Sequence, residues 1–311
     1  MNGTDGKSLR SLLDVGVAAT YAGKVREMMD VGNRLMMVAT DRISAFDSIL
    51  PTTIPEKGKI LTSISAFWLK GLSRILPTHF LSTDAGGLPE SLRSIARKVE
   101  GRWMLVRKAR PLPVECIVRG YLAGSGWREY EKTGSIGGQR LPAGLSPFGS
   151  TGRPVFTPST KSHEGHDVNI SPEKLRDLLG ADVAARLESL SLEIFERGRR
   201  FAERCGLVLA DTKFEFGWID DRLALIDEVL TPDSSRYWPV ETVGTGGPPK
   251  SLDKEFVRQY LKELPWNGEP PAPQLPPAVV EETLVRYREV ERRLTRFSAE
   301  IPDLGDPISV P

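Results

Sequence analysis

"LADTKFEFG", residues 209 to 217, alternates as an extended chain does, and its reading governs the rest of the sequence. A period of two puts Asp211, Lys213 and Glu215 on one face, with Leu209 beside them. Ala210, Thr212, Phe214 and Phe216 then point the other way, toward a core. The next residues, "GWIDDRLALIDEVL", offer a turn at Asp220 to Arg222 and a second apolar run ending in Asp227 and Glu228, so a hairpin is expected. Glu215 and Asp227 are separated by an even number, which sets them opposite each other if the loop is odd in length. Paired carboxylates repel unless a cation lies between them. Oxygen ligands with no neighbouring Cys or His suit magnesium, and Lys213 on the same face suits a phosphate. A solvated face of a half-exposed hairpin explains the same pattern, and this stretch alone leaves both readings open.

Outward from the hairpin, "TPDSSRYWP" (231–239) sets two hydroxyls beside Arg236, a donor set for a phosphate monoester, although a Pro-Asp turn with an exposed Arg reads equally well. "PVECIVRGYLAGSG" (113–126) contains Arg119 and a Gly-Ser-Gly turn around Ser125, again an anion-binding composition. "YAGKVREMMDVGNRLMMVAT" (21–40) reads as two strands about a "DVGN" turn, with Gly23, Lys24 and Arg26 at its start in a nucleotide-loop pattern that is weak alone. "STKSHEGHDVN" (159–169) gathers Lys161, His163, His166 and Asp167 in a loop. No Cys or further His completes a zinc site there.

"PEKGKILTSISAFWLKGL" places Ile60, Leu61, Ile64, Phe67, Trp68 and Leu72 at helical spacing, and "RWMLVRKARPLPVECIVRGYL" returns to strand, broken by Pro111 and Pro113. Residues 134–158, rich in Gly, Pro and Ser, are expected to loop over a surface or a site. Ser171 reads as an N-cap, Pro172 as a first helical residue and Gly180 as a stop, with a longer helix following to about Gly206. A Pro-rich connector (264–280) precedes a helix whose face is traced by Val280, Leu284, Tyr287, Leu294 and Phe297, expected to pack on the body.

The 311 residues include 40% hydrophobic ones, enough for a sizeable core. Lys plus Arg number 42 and Asp plus Glu 41, so no overall charge favours nucleic acid or a membrane, and any anion site is built locally. Cys116 and Cys205 stand far apart and read as buried filler. No signal-like segment or long apolar run is present, so a cytoplasmic protein is expected.

Taken in order, "GKVRE", "DRISAFDSILPTTIPEKGKIL", "PLPVECIVRGYLAGS", "LADTKFEFG" and "DEVLTPDSSRYWP" resemble the blocks of the SAICAR synthetase family of purine biosynthesis, in its longer form. Ala210 departs from the larger aliphatic usual there. The resemblance implies an α+β fold, with a small antiparallel N-terminal lobe over ATP (1–109), a larger central α/β domain (110–264) and a connector with C-terminal helix (265–311), related to ATP-grasp enzymes. It implies a ligase joining the carboxylate of carboxyaminoimidazole ribotide to the amine of L-aspartate, with ATP and Mg2+, acting as a monomer. Because a carboxylate is a poor electrophile, an acyl phosphate is expected.

Residue by residue, the resemblance assigns Glu215 and Asp227 to the metal. Lys213 goes to a phosphate, and Gly23, Lys24, Val25, Arg26 and Glu228 to the nucleotide. The backbone of Met104 to Lys108 becomes an adenine-facing hinge. Arg119, Ser125, Ser235 and Arg236 fall to the ribotide phosphate, and Asp211, Lys161, His166 and Asp167 to the rest of the substrates. A ligase for another carboxylate and amine, or a nucleotide-binding module without ligase activity, is the alternative.

Overall fold

Residues 209–217 lie within a 13-residue strand, Leu207–Ile219, at the centre of a seven-stranded antiparallel sheet. This computed structural model describes residues 8–161, 168–296 and 302–308. The first part of the long strand pairs with Val114–Tyr121 and Ser235–Pro239, and the second with Arg222–Ile226 and Arg110–Pro111. A register shift between Leu209 and Asp211 interrupts the ladder to Ser235–Pro239, and one extra residue at such a bulge reverses the alternation. Leu209 therefore does not join the charged face. It packs in the same hydrophobic cluster as Phe214 and Phe216, while Ala210 packs with Val208 and Trp238.

The hairpin is real, but its loop is even. Ile219 pairs with Arg222 across Asp220 and Asp221, whose φ values of 47° and 56° give the left-handed turn that matches strand twist. Glu215 consequently faces Ile226, and the expected pairing of Glu215 with Asp227 is overturned. Asp227 sits one residue past the strand at φ 66°, so the chain turns away there.

A second antiparallel sheet, of five strands, is ordered Tyr21–Ala22, Arg26–Val31, Arg34–Ala39, Trp103–Arg107, Phe80–Ser82. The helix Lys57–Leu72 packs on this sheet, against Arg34–Ala39, Phe80–Ser82 and Trp103–Arg107. All six of its apolar positions named from spacing are buried, and Trp68 packs edge-on to Phe67 and Phe201. Truncating such an aromatic costs about 3–5 kcal/mol. The helix approaches the Arg34–Ala39 strand so closely that a Cβ on Gly58 would meet the Ala39 carbonyl at 2.2 Å. One hydrophobic cluster runs from Met37 and Met104 in the five-stranded sheet, through this helix, to Phe214 and Tyr287.

Ser171 caps the helix Pro172–Leu179, accepting a hydrogen bond from the Lys174 N–H, and Ala181–Arg204 follows and backs the long strand. Part of the expected loop at 134–158 is instead the strand Ser150–Phe156 on the edge beside Val114–Tyr121, where Gly152 and Pro154 are tolerated because one side of the backbone is unpaired. The helix Pro277–Thr295 packs on Lys57–Leu72. Its Tyr287 hydroxyl donates to Asp233 (2.7 Å), which also pairs with the fully buried Lys57 (2.7 Å) and with Lys254 (3.5 Å). Phe297 lies outside the described residues. Cys116 and Cys205 are buried and unbridged, and burial pushes the Cys116 thiol up to about 12. Among the described residues no helix is long and apolar enough to cross a membrane.

Candidate active site

A cleft of about 960 Å3 opens between the two sheets. Apart from the hinge, every described residue assigned to a site from the sequence lines it: Gly23, Lys24, Val25 and Arg26 on the side of the first sheet, Arg119, Ser125 and Lys161 on the side of the second, then Asp211, Lys213 and Glu215, Asp227 and Glu228, and Ser235 and Arg236. His163, His166 and Asp167 lie outside the described residues. The hinge residues Met104 to Lys108 do not line the cleft. Met104 is in the core, and the N–H groups of Arg107 and Lys108 donate to the carbonyls of His79 and Asn33.

At one end the bulge brings Lys213 and Glu215 onto the cleft wall. Lys213 Nζ bonds Glu115 at 2.5 Å and reaches Glu215 at 3.5 Å, while Lys161 holds Glu215 at 2.5 Å. Arg26 spans Asp227 (2.5 Å) and Glu228 (2.9 Å). The two carboxylates proposed for a metal differ in state. Burial pushes Glu215 up, but Lys213 and Lys161 outweigh it and hold the carboxyl at about 2. Burial pushes Asp227 up to about 7, with Glu215 and Glu228 adding repulsion that Arg26 only partly offsets. Burial opposes the charge on Lys213, yet Glu115 and Glu215 win and raise its pKa.

This donor set fits magnesium. The candidate ligands are carboxylate oxygens, one of them destabilised by crowded negative charge. No complete cage of three or more ligating side chains is assembled among the described residues. Magnesium on a nucleotide takes only one or two carboxylates and completes its shell with water and phosphate oxygens.

At the other end the positive groups dominate. Arg236 bonds Asp211 at 2.5 Å and approaches Glu255 at 3.4 Å; Arg119 lies 3.8 Å from Asp211 and donates to Thr157 and Ser125. Glycine makes the room. Gly124 has φ 54°, and a Cβ there would lie 2.2 Å from the Arg236 guanidinium; one on Gly126 would meet Arg119 at 3.1 Å. The "AGSG" turn therefore lets two guanidinium groups converge beside the Ser125 hydroxyl at the start of the helix Gly124–Thr133.

Several lining residues escaped the sequence reading. Glu115 alternates with Ile117 and Arg119 on one strand face, a period-two signal that was available. Lys254, Arg258 and Lys262 recur every four residues along "SLDKEFVRQYLK", and the helix Glu255–Lys262, with Lys254 just before it, presents them to the cleft. Burial, partly offset by Asp233, lowers Lys254 to about 8. Asp47, at the tip between Arg42–Ala45 and Ser48–Thr53, bonds Lys24 at 2.6 Å.

The profile of the SAICAR synthetase family matches residues 19–273. The phosphoribosylaminoimidazole-succinocarboxamide synthase of Thermodesulfovibrio yellowstonii is 51% identical over 280 residues, 90% of this chain and 96% of the relative. That of Geobacter sulfurreducens is 48% identical over 274 residues, 88% and 93%. Among solved structures, the Saccharomyces cerevisiae SAICAR-synthase complexed with SAICAR superposes with a TM-score of 0.80 at 37% identity, covering 95% of this chain and 97% of that one. A SAICAR synthetase in complex with ADP shares the fold at a TM-score of 0.67 and 23% identity, over 91% of this chain and 98% of that one.

Proposed function

The chain belongs to the SAICAR synthetase family and is an ATP-dependent ligase of purine biosynthesis, joining carboxyaminoimidazole ribotide to L-aspartate; from that premise we propose how its cleft divides the work. The observation that carries the division is the separation of charge along one cleft, with carboxylates in excess around Glu215 and Asp227 and positive groups in excess around Arg236.

The carboxylate end receives the triphosphate. Glu215 and Asp227 would hold magnesium, which supplies positive charge to the phosphate oxygens when bound. Gly23 to Arg26 cover the nucleotide, and Glu228 keeps Arg26 in place. Lys213, fixed between Glu115 and Glu215, aims its ammonium at the phosphoryl group in transit and stabilises the charge that spreads over it. The guanidinium end holds the ribotide phosphate through Arg119, Ser125, Ser235 and Arg236. Holding the ribotide at its remote phosphate orients its carboxylate toward the nucleotide. Asp211 keeps both arginines converged, and Lys161 serves the carboxylate side of the substrates.

An oxygen of the ribotide carboxylate bonds to the γ-phosphorus as that phosphorus separates from the β–γ bridging oxygen, giving ADP and an acyl phosphate. The aspartate amine adds to the acyl carbon and loses a proton. The carbon–oxygen bond to phosphorus then breaks, releasing phosphate and leaving the amide. With the ribotide carboxylate labelled with oxygen-18, label is expected in inorganic phosphate after turnover. Label retained wholly in the amide product and unreacted ribotide rules out this route.

A further inference from the structure

A second cleft, of about 810 Å3, lies at the seam between the two sheets and shares no lining residue with the candidate active site. It forms where the chain leaves the helix Lys57–Leu72 and runs toward Phe80–Ser82; Thr78 bridges to Leu225 of the large sheet, and the Leu225 N–H donates to the Pro77 carbonyl. Leu76, Phe80, Leu190 and Leu223 give it an apolar lining. Arg74, Arg107, Arg186 and Arg222 also line it, against the single carboxylate of Asp221.

Four guanidinium groups in one cleft are a strong local departure for a chain of formal net charge +1. Arg107 pairs with Asp220, whereas Arg74, Arg186 and Arg222 have no carboxylate partner among the described residues. The Nε of Arg186 is buried with no hydrogen-bond partner. A buried donor is normally satisfied, and like charges are gathered at a cost unless an anion joins them. Planar guanidinium groups match phosphate oxygens in pairs and also stack on aromatic rings. The volume falls in the range of small-molecule sites, roughly 300–1,000 Å3.

We propose that this second cleft binds a nucleoside phosphate, with the base on the Leu76, Phe80, Leu190 and Leu223 surface and the phosphates among the four arginines. The apolar lining favours a nucleoside over a bare polyphosphate, whose oxygens gain nothing from it.

The test is equilibrium dialysis of radiolabelled ADP against the full chain, with tripolyphosphate in a parallel arm. Two ADP sites per chain are expected, with ADP bound at the second cleft at least about tenfold more tightly than tripolyphosphate. The double substitution Arg186→Ala and Arg222→Ala removes one site and leaves the other, with ligase turnover kept within about twofold. Should that variant fail to fold, Arg74→Ala, an exposed position, weakens the same site alone. Failure of the ligase reading shows separately, as absent turnover in the unaltered chain. A single ADP site per chain, a second site indifferent to these substitutions, or equal affinity for tripolyphosphate overturns the proposal.

Discussion

The two ends of the active cleft use the same materials in opposite proportion. Around the hairpin, Glu115, Glu215, Asp227 and Glu228 outnumber Arg26, Lys161 and Lys213; around the 231–236 loop, Arg119, Arg128, Arg236, Lys254, Arg258 and Lys262 outnumber Asp211, Asp233, Asp253 and Glu255. Both are partly buried ion networks, and such networks are poor sources of stability because desolvation cancels much of the Coulomb gain. Their imbalance is therefore better explained by ligands than by folding. One end is short of a cation, the other of an anion.

Replacing Lys213 by Met breaks the comparison most severely, since it removes the cation poised at the carboxylate end. Phosphoryl transfer, followed as ADP formed in a single turnover, is expected to fall by roughly 100-fold to 1,000-fold, the range seen when one oxyanion donor is lost. Ribotide affinity should stay within about twofold, because the other end is untouched. A variant that forms ADP at the normal rate would make Lys213 a binding residue only. Glu215→Gln and Asp227→Asn come next, each lowering turnover by at least about tenfold, equivalent to about 1.4 kcal/mol of transition-state stabilisation. Both should keep the native circular dichroism spectrum. Unchanged rates across a magnesium titration in either one would return this end to a solvated hairpin.

Arg236→Ala tests the opposite end. Loss of a charge-assisted bond should raise the ribotide KM by roughly tenfold or more with little change for ATP. If the ATP curve moves instead, the two ends have been assigned to the wrong ligands.

The smallest effect sharpens the contrast between the two carboxylates. Glu215, held at about 2 in the fold against 4.5 when free, contributes stability that is complete above pH 4.5 and lost as pH falls toward 2. Asp227, pushed from 3.8 to about 7, acts with the reverse sign: its contribution is complete below pH 3.8 and lost as pH rises through 7. Urea midpoints across pH should therefore show a shallower acid limb in Glu215→Gln and a flatter slope between pH 4 and 7 in Asp227→Asn. Identical profiles in both variants would remove the distinction.

The legible part of this molecule is the part written in short periods. Helical spacing from Ile60 to Leu72, the cap at Ser171 and the alternation from Asp211 to Phe216 each declare themselves within a few residues, and ordered blocks supplied the rest of the site. What was illegible depends on a single residue of offset. The bulge beside Ala210 and the two-residue turn at Asp220 and Asp221 each shift parity, so Leu209 moved to the core and Asp227 lost its place opposite Glu215. Period-two reasoning cannot detect an insertion that the ladder itself absorbs. The strand Ser150–Phe156 was hidden for another reason: an edge tolerates Gly and Pro that an interior strand would reject.

Asp233 ties three distant parts of the sequence together: Lys57, Lys254 and Tyr287. It sits beside Ser234 and Ser235 in the loop that carries Arg236, so that end of the cleft rests on a helix that follows both sheets in the chain. As the chain emerges from the ribosome, both sheets have been synthesised before Tyr287 appears. A prematurely terminated product would therefore carry every residue of the cleft and still lack the clasp that sets one end of it.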